Sequence, residues 1–237
     1  MQTSVIKINR KENFFQSLKG QQGFSLIEIL MAIFLVFVVV SIVPLTTGGN
    51  EHSKLEDSIK KIERAIRFAT SESILRNKIV RIRFIVDEVP AAYTIEYGQS
   101  ANLVLPEAVD LDKLSLSERE SEIERAKKID SQFIPVEEFE LNNEPLPEVV
   151  SIYALGTTYY PDLMSEGNLF IYFYPTGEKD SAILFFNTYQ EMVYLKIFPF
   201  EDKTSKEFIV FDENQLIDIE KTLERKAKEL FEQWLKN

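Results

Sequence analysis

The sequence predicts an α+β fold in which helices accompany an antiparallel β-sheet. Three observations predict it. A run without charged residues extends from Ile29 to Thr47, apolar residues recur at helical spacing soon after it, and aromatic and β-branched residues alternate in short segments between residues 80 and 211. The 237 residues, 45% of them hydrophobic, suffice for one sizeable domain and an appended segment.

Residues 1–23 have the composition of a leader peptide, being polar and basic. Their charged residues are Lys7, Arg10, Lys11, Glu12 and Lys19. Residues 24–49 are predicted to form an apolar helix, because the uncharged run spans about 19 residues, or roughly 28 Å, and so crosses a bilayer. The positive-inside rule then places the leader in the cytoplasm. Residues 50–237 are predicted to form a periplasmic or extracellular domain of a single-pass inner-membrane protein.

A second helix is predicted after a break at Pro44 and the glycine pair at residues 48–49. Ser53 and Glu56 have the spacing of a capping box, which predicts where this helix begins. Its packing stripe comprises Leu55, Ile59, Ile62, Ile66, Ala69 and Ser73. The 4-3-4-3-4 spacing of these residues predicts that one face of the helix is buried.

The sheets are predicted within residues 78–211, where the hydrophobic period changes to two. The predicted strands are residues 80–86, 93–97, 149–155, 169–174, 183–186, 192–198 and 208–211. A turn at residues 175–178 separates two of them, as in an antiparallel hairpin.

Two further segments accompany the sheets. Residues 106–147 are acidic and proline-punctuated, with a helix predicted at residues 115–129, and are interpreted as an insertion that is solvated decoration rather than a partner surface. Residues 215–235 are predicted to form a C-terminal amphipathic helix. Its apolar residues are Leu216, Ile219, Leu223, Leu230 and Trp234.

The sequence Gly-Phe-Ser-Leu-Ile-Glu at residues 23–28, followed by Ile-Leu-Met-Ala-Ile, resembles the start of type IV prepilins and type II secretion pseudopilins. The resemblance implies that a prepilin peptidase cuts after Gly23 and methylates the new N-terminus at Phe24. It also implies that Glu28 meets the N-terminal amine of a neighbouring subunit. The cost of a carboxylate in an apolar segment agrees with such a partner. A secretory signal fits less well, because its apolar core is shorter and a small-x-small cleavage site follows it.

A second resemblance is to the GspH/FimT group of minor pseudopilins. It rests on Phe-Ala-Thr-Ser-Glu-Ser-Ile-Leu-Arg-Asn at residues 68–77 and on Phe-Tyr-Pro-Thr-Gly-Glu at residues 173–178. It implies a long N-terminal hydrophobic helix packed on a β-sandwich-like pair of sheets. It also implies a minor subunit of a type II secretion pseudopilus or type IV pilus, whose partners are other pilin subunits, the prepilin peptidase, the inner-membrane assembly platform and secreted cargo. The acidic insertion and the terminal helix depart from the short forms of the group.

Composition argues against several other functions. The net charge of −11 and the pI near 4.8 disfavour a general nucleic-acid binder, and the lack of cysteine excludes disulfides and cysteine-ligated metals. The single histidine, His52, is expected to be an exposed linker residue, and no pair of acidic residues has a recognisable catalytic context. We therefore expect no enzyme, no cofactor and no metal. Glu178 with Asp180, and Glu201 with Asp202, are weak candidates for calcium.

Two alternatives stay open. One is an uncleaved, membrane-anchored binding protein, which would be indifferent to Glu28. The other is a minor pilin with a role in DNA uptake, which would need an exposed basic patch. The C-terminal basic residues Arg225, Lys226 and Lys228 are interleaved with Glu224 and Glu229, which disfavours such a patch.

Overall fold

The structure is a computed structural model that describes residues 26–42, 51–99, 114–136, 144–160 and 162–236. The chain divides into two compact units, Met1–Thr47 and Gly48–Asn237. The described part of the first unit is helix α1, Leu26–Ile42, which forms within the predicted apolar segment. The predicted leader and the predicted break at residues 44–49 lie outside the described residues.

Helix α2, Glu51–Arg76, is the long helix of the second unit. Its buried residues are Leu55, Ser58, Ile59, Ile62, Ala65, Ile66, Ala69 and Ser73, so the predicted packing stripe is confirmed. The predicted capping box is wrong, since Ser53 lies within the helix. The helix ends at Asn77, whose φ of 51° is a left-handed conformation that asparagine tolerates. The Lys78 N–H then donates to the Ser73 carbonyl at 3.2 Å and closes the helix end.

In the described part of the chain, nine strands form two antiparallel sheets. They are β1 Val80–Ile85, β2 Ala92–Gly98, β3 Phe133–Pro135, β4 Glu144–Pro145, β5 Ser151–Thr157, β6 Asn168–Phe173, β7 Ala182–Asn187, β8 Glu191–Ile197 and β9 Ser205–Val210. The first sheet has the order β3-β2-β1-β6, with β4 also paired to β2, and the second has the order β5-β7-β8-β9. The turn between β6 and β7 uses Gly177 at φ 86°. The predicted hairpin at this turn is wrong, because β6 pairs with β1 in the first sheet whereas β7 pairs with β5 and β8 in the second.

The main core lies between the α2 stripe and the inward-facing residues of both sheets. Residues Ile82, Phe84, Leu184, Phe186 and Val193 are all fully buried in it. Alternate residues of each strand point to one face of a sheet, so the period-two pattern of the sequence places these side chains together. The predicted α+β class with antiparallel sheets and a C-terminal helix is confirmed.

The acidic insertion is not mere decoration. Helix α3, Leu116–Asp130, forms close to the predicted bounds, but the residues after it join the first sheet. Strand β3 pairs with the end of β2, and β4 pairs with its beginning. The interpretation as solvated decoration is therefore wrong for these residues, because the open edge of β2 has backbone donors and acceptors that need partners. Residues 106–113 and 137–143 lie outside the described part of the chain.

The C-terminal segment forms two helices, α4 at Glu213–Leu216 and α5 at Ile219–Leu235. The predicted start at residue 215 is wrong, because Asp212 accepts a hydrogen bond from the Gln215 N–H at 2.9 Å and so begins a separate short helix. Helix α5 packs on the outer face of the second sheet, with Leu223, Ala227 and Phe231 buried.

Gly156 of β5 lets α5 approach the sheet closely. A Cβ atom placed there would lie 2.4 Å from Cε2 of Phe231 and 3.1 Å from Cγ2 of Ile183. A β-carbon contact of that length does not occur without displacement of the neighbouring atoms, so the docking of α5 depends on glycine at this position.

We predict that Gly156→Ala lowers the free energy of unfolding by about 1–3 kcal/mol, because the methyl group overpacks against the Phe231 ring. Urea unfolding of the detergent-solubilised chain measures the loss. In a double-mutant cycle, adding Phe231→Leu should make the two losses less than additive, since the shorter side chain removes the ring edge. Fully additive losses would contradict the contact as described.

Candidate functional site

Helix α1 is apolar on every side. Its large apolar residues from Leu26 to Val36 are between 51% and 81% exposed, and a helix without a polar face requires apolar surroundings. Glu28 is the acidic residue in its first turn. A carboxylate at this position interacts favourably with the positive end of the helix dipole. The helix therefore combines an apolar surface with one acidic group near its N-terminal end.

The predicted cleavage and methylation positions, Gly23 and Phe24, lie outside the described residues. In the part of the chain that the structure describes, no helix combines the length and the apolar character needed to cross a membrane. Helix α1 has 17 residues.

His52 has a specific partner in the second unit, which corrects the expectation of a linker residue. It lies in the first turn of α2, and its Nδ1 is 2.9 Å and 3.2 Å from the two carboxylate oxygens of Glu191 on β8. Its ring lies 5.1 Å from that of Phe208, and its side chain is 47% exposed. The hydrogen bond that the imidazole donates to Glu191, together with the negative charge of that residue, raises the pKa of His52 above 6.5. The pair joins the start of α2 to the second sheet.

Arg81 forms a buried polar cluster on the outer face of the first sheet. The side chain is 2% exposed, and Nε donates to the Glu96 carboxylate at 2.7 Å. Its guanidinium lies 3.9 Å and 4.3 Å from the ring centres of Phe133 and Phe170, a geometry that favours cation–π attraction. Another guanidinium nitrogen contacts Asp130 at the end of α3. The cluster therefore ties the insertion to the sheet.

The charge state of Arg81 follows from these contacts. Burial alone would lower the pKa of Arg81, but the charge and hydrogen bond of Glu96 more than offset it and hold the pKa above its ordinary value. Period-two alternation placed Arg81 away from the core, but no local signal indicated that Phe133, 52 positions later, would cover it. The paired acid on the neighbouring strand, Glu96, was the one clue available in the sequence.

Glu144 anchors the C-terminal part of the insertion. Its carboxylate accepts hydrogen bonds from the Tyr93 hydroxyl and from Nζ of Lys61, the latter at 2.7 Å. Burial, followed by the hydrogen bond to Glu144, raises the pKa of Tyr93. Strand β4 is thereby connected to both β2 and α2.

The carboxylate of Asp180, one of the weak calcium candidates, is engaged in hydrogen bonds within the fold. It is 4% exposed and accepts hydrogen bonds from the Tyr172 N–H at 2.9 Å and the Tyr174 hydroxyl at 3.1 Å. Burial raises its pKa to about 6. Glu201 and Asp202 are exposed in the turn before β9. Among the described residues, no group of three or more histidine, aspartate or glutamate side chains is arranged to hold a metal ion.

The basic residues of α5 alternate with acidic ones on its exposed side. Lys226 lies 3.3 Å from Glu229, and Arg225 and Lys228 are exposed among glutamates. This mixed surface lacks the excess of positive charge that phosphate binding needs.

We predict that Arg81→Met lowers the free energy of unfolding by about 3–5 kcal/mol, because it removes the buried cation that pairs with the buried carboxylate of Glu96. Chemical denaturation monitored by circular dichroism checks the loss. Arg83→Met is the matched control, since Arg83 lies 3.0 Å from the same Glu96 but is 24% exposed. A loss for Arg83→Met as large as that for Arg81→Met would contradict the importance of burial.

We predict that ionisation of Asp180 destabilises the fold. Its pKa of about 6 lies above the ordinary value of 3.8, so the folded chain binds more protons in that interval and stability falls as pH rises through it. Asp180→Asn should remove this component, which is worth about 3 kcal/mol. Unfolding free energies from pH 4 to pH 7 measure it, with Glu201→Gln as an exposed control. Parallel pH profiles for Asp180→Asn and the unaltered chain would contradict the prediction.

Comparisons with known proteins place the N-terminal motif in a defined class. Residues 18–44 match the prokaryotic N-terminal methylation motif. Two solved structures of the minor pseudopilin EpsH from the type 2 secretion system of Vibrio cholerae are similar to this chain. One has 11% identity and a TM-score of 0.39 over 66% of this chain and 97% of that one. The other has 12% identity and a TM-score of 0.36 over 63% and 96%.

No curated protein sequence matches the chain. The motif match coincides with the residues on which the first resemblance rested, since it includes Gly23, Phe24 and Glu28. The chain is thus a protein with a prepilin-type N-terminal methylation motif, as the resemblance to type IV prepilins and pseudopilins predicted.

Proposed function

We propose that this chain is a minor pilin or pseudopilin of the GspH/FimT type, which is processed by a prepilin peptidase and assembled into a type II secretion pseudopilus or type IV pilus. The observation that carries the proposal is the N-terminal methylation motif at residues 18–44. Cleavage after Gly23 removes the leader, and methylation modifies the new N-terminus at Phe24. The role of the chain is structural, without a cofactor or a reaction of its own.

The apolar N-terminal segment supports a membrane stage before assembly. The residues from Ile29 to Thr47 carry no charge, and α1 exposes apolar side chains on every side. In the proposed topology the leader is cytoplasmic, residues 24–49 cross the inner membrane once, and residues 50–237 lie on the periplasmic side. The assembly platform draws the processed chain from this membrane pool.

Glu28 is the proposed assembly residue together with Phe24. Carboxylates in apolar surroundings are costly unless a cation pairs with them. Cleavage creates a positively charged amine at Phe24, and the corresponding amine of a neighbouring subunit can pair with the Glu28 carboxylate. This pairing links processing to assembly, because an uncleaved chain has no amine at that position.

The second unit supplies the exposed part of the subunit. Its two sheets and α2 share one core, and α5 covers the second sheet. In the proposal this unit contacts other minor subunits, the assembly platform and secreted cargo. The mixed charges of α5 favour this protein-contacting role over DNA uptake, which needs a basic patch.

We predict that the chain extracted from membranes of cells containing a prepilin peptidase begins at methylated Phe24. Intact mass measurement and N-terminal sequencing identify this terminus. Gly23→Leu should leave the precursor intact, because a bulky side chain replaces the glycine at the cleavage position. A chain that still begins at Met1, or one cut near Gly49, would contradict the proposal and favour an anchored or secreted binding protein.

Glu28→Gln separates assembly from processing. We expect it to be cleaved and methylated normally but to be lost from filaments, because the neutral amide cannot neutralise a buried amine. Quantitative immunoblotting of sheared filaments measures incorporation. Glu12→Gln is the matched control, since the same charge change lies in the leader and leaves the mature chain unaltered. Normal incorporation of Glu28→Gln would overturn the assigned role of this carboxylate.

A further inference from the structure

In the described part of the chain, polar contacts join α2 to the second sheet and to the segment before β9 at two places. Near the middle of the helix, Glu63 accepts hydrogen bonds from the Thr204 hydroxyl at 3.0 Å and from Nζ of Lys206 at 3.3 Å. At the start of the helix, His52 contacts Glu191. His52 is the fifth residue of the second unit, which begins at Gly48. The histidine contact therefore lies where the chain enters this unit.

The contact at His52 differs from the one at Glu63 in its response to pH. Histidine is the side chain whose ordinary pKa places its charge change between pH 5 and pH 8. When the imidazole is protonated, its bond to Glu191 is charge-assisted and roughly twice as strong as a neutral one. When it is neutral, the carboxylate of Glu191, which is 4% exposed, can still accept the hydrogen bond, but the attraction between two opposite charges is lost. The strength with which the first turn of α2 is held on the second sheet thus depends on the proton of His52.

We propose that the His52–Glu191 pair is a pH-sensitive attachment, which holds the first turn of α2 on the second sheet in acid and loosens it as pH rises. Glu191 is well placed for this role because the turn that precedes it is fixed: the Thr188 N–H donates to the Glu191 carbonyl at 2.8 Å. The Phe208 ring of β9 lies beside the imidazole and shields one side of it. The sheet therefore fixes the position of the Glu191 carboxylate, and the part that can move away from it is the first turn of α2.

One further acidic residue acts in the same direction as Glu191. Glu56, one turn further along α2, also raises the pKa of His52, although Glu56 is itself 3.1 Å from Lys60. Lys206 of β9 is the nearby cation on the sheet, and it pairs with Glu63. Because the folded-state pKa of His52 lies above 6.5, the stabilisation is fully present below pH 6.5 and is lost as pH rises through the folded-state value.

The titration can be measured directly, because His52 is the only histidine of the chain. Isotope-labelled histidine in the full-length protein in detergent micelles gives one imidazole spin system. We expect a pKa above 6.5, which falls toward 6.5 in Glu191→Gln and changes much less in Glu56→Gln, the matched control on the same helix. A value at or below 6.5 in the unaltered chain, or equal shifts in the two variants, would overturn the proposal.

The attachment of the first turn of α2 to the second sheet is measured by a second experiment. Hydrogen exchange of the amides of residues 55–60, corrected for intrinsic rates, should lose several-fold protection between pH 5.5 and pH 8.5 in the unaltered chain. His52→Lys, which keeps a cation across this range, should retain its protection throughout, and this variant keeps the test valid should Glu191→Gln fold poorly. The same pH dependence in His52→Lys and the unaltered chain would show that the pair does not control the attachment.

Discussion

The burial of one face of α2 is the constraint on which the second unit depends. The residues of this face, among them Leu55, Ile59, Ile62 and Ile66, are packed in one core with side chains from both sheets. Burial of an apolar side chain of this size contributes about 1.5–3 kcal/mol, so the stripe accounts for much of the favourable free energy that orders the helix. The small residues Ala65 and Ala69 on the same face let the helix approach the strands.

Much of this arrangement was predictable because it is encoded locally. The spacing of the α2 stripe and the alternation in β1 and β2 are repeated signals, and β7 and β8 lie in apolar runs whose residues are buried on both faces of the sheet. The N-terminal motif is also local, since its positions are consecutive in the chain. The wrong predictions concerned the first residues of helices, which single hydrogen bonds determine. Ser53 has the right spacing for a cap but lies inside α2, and Asp212 starts a short helix that hydrophobic periodicity cannot reveal.

The polar contacts were predicted least well because their partners are remote in sequence. Glu191 lies 139 positions from His52, and Asp130 lies 49 positions from Arg81. The sequence presents each of these charges as an ordinary solvated group. Only the pairing of strands brings them together, and then burial makes their partners indispensable. The insertion illustrates the result, since its acidic composition indicated solvent exposure, yet Asp130 and Glu144 attach its described residues to the rest of the second unit.

The position of β9 at the end of the second sheet affects how copies of this chain behave when they are crowded. In the described part of the chain, no strand pairs with its outer side, so its backbone donors and acceptors could accept a strand from another molecule. Lys206 and Glu207 are adjacent charged residues in the middle of this strand. Charged side chains on an edge strand oppose uncontrolled strand addition. The charged side chains of β9 thereby oppose pairing of this edge with a strand of another molecule.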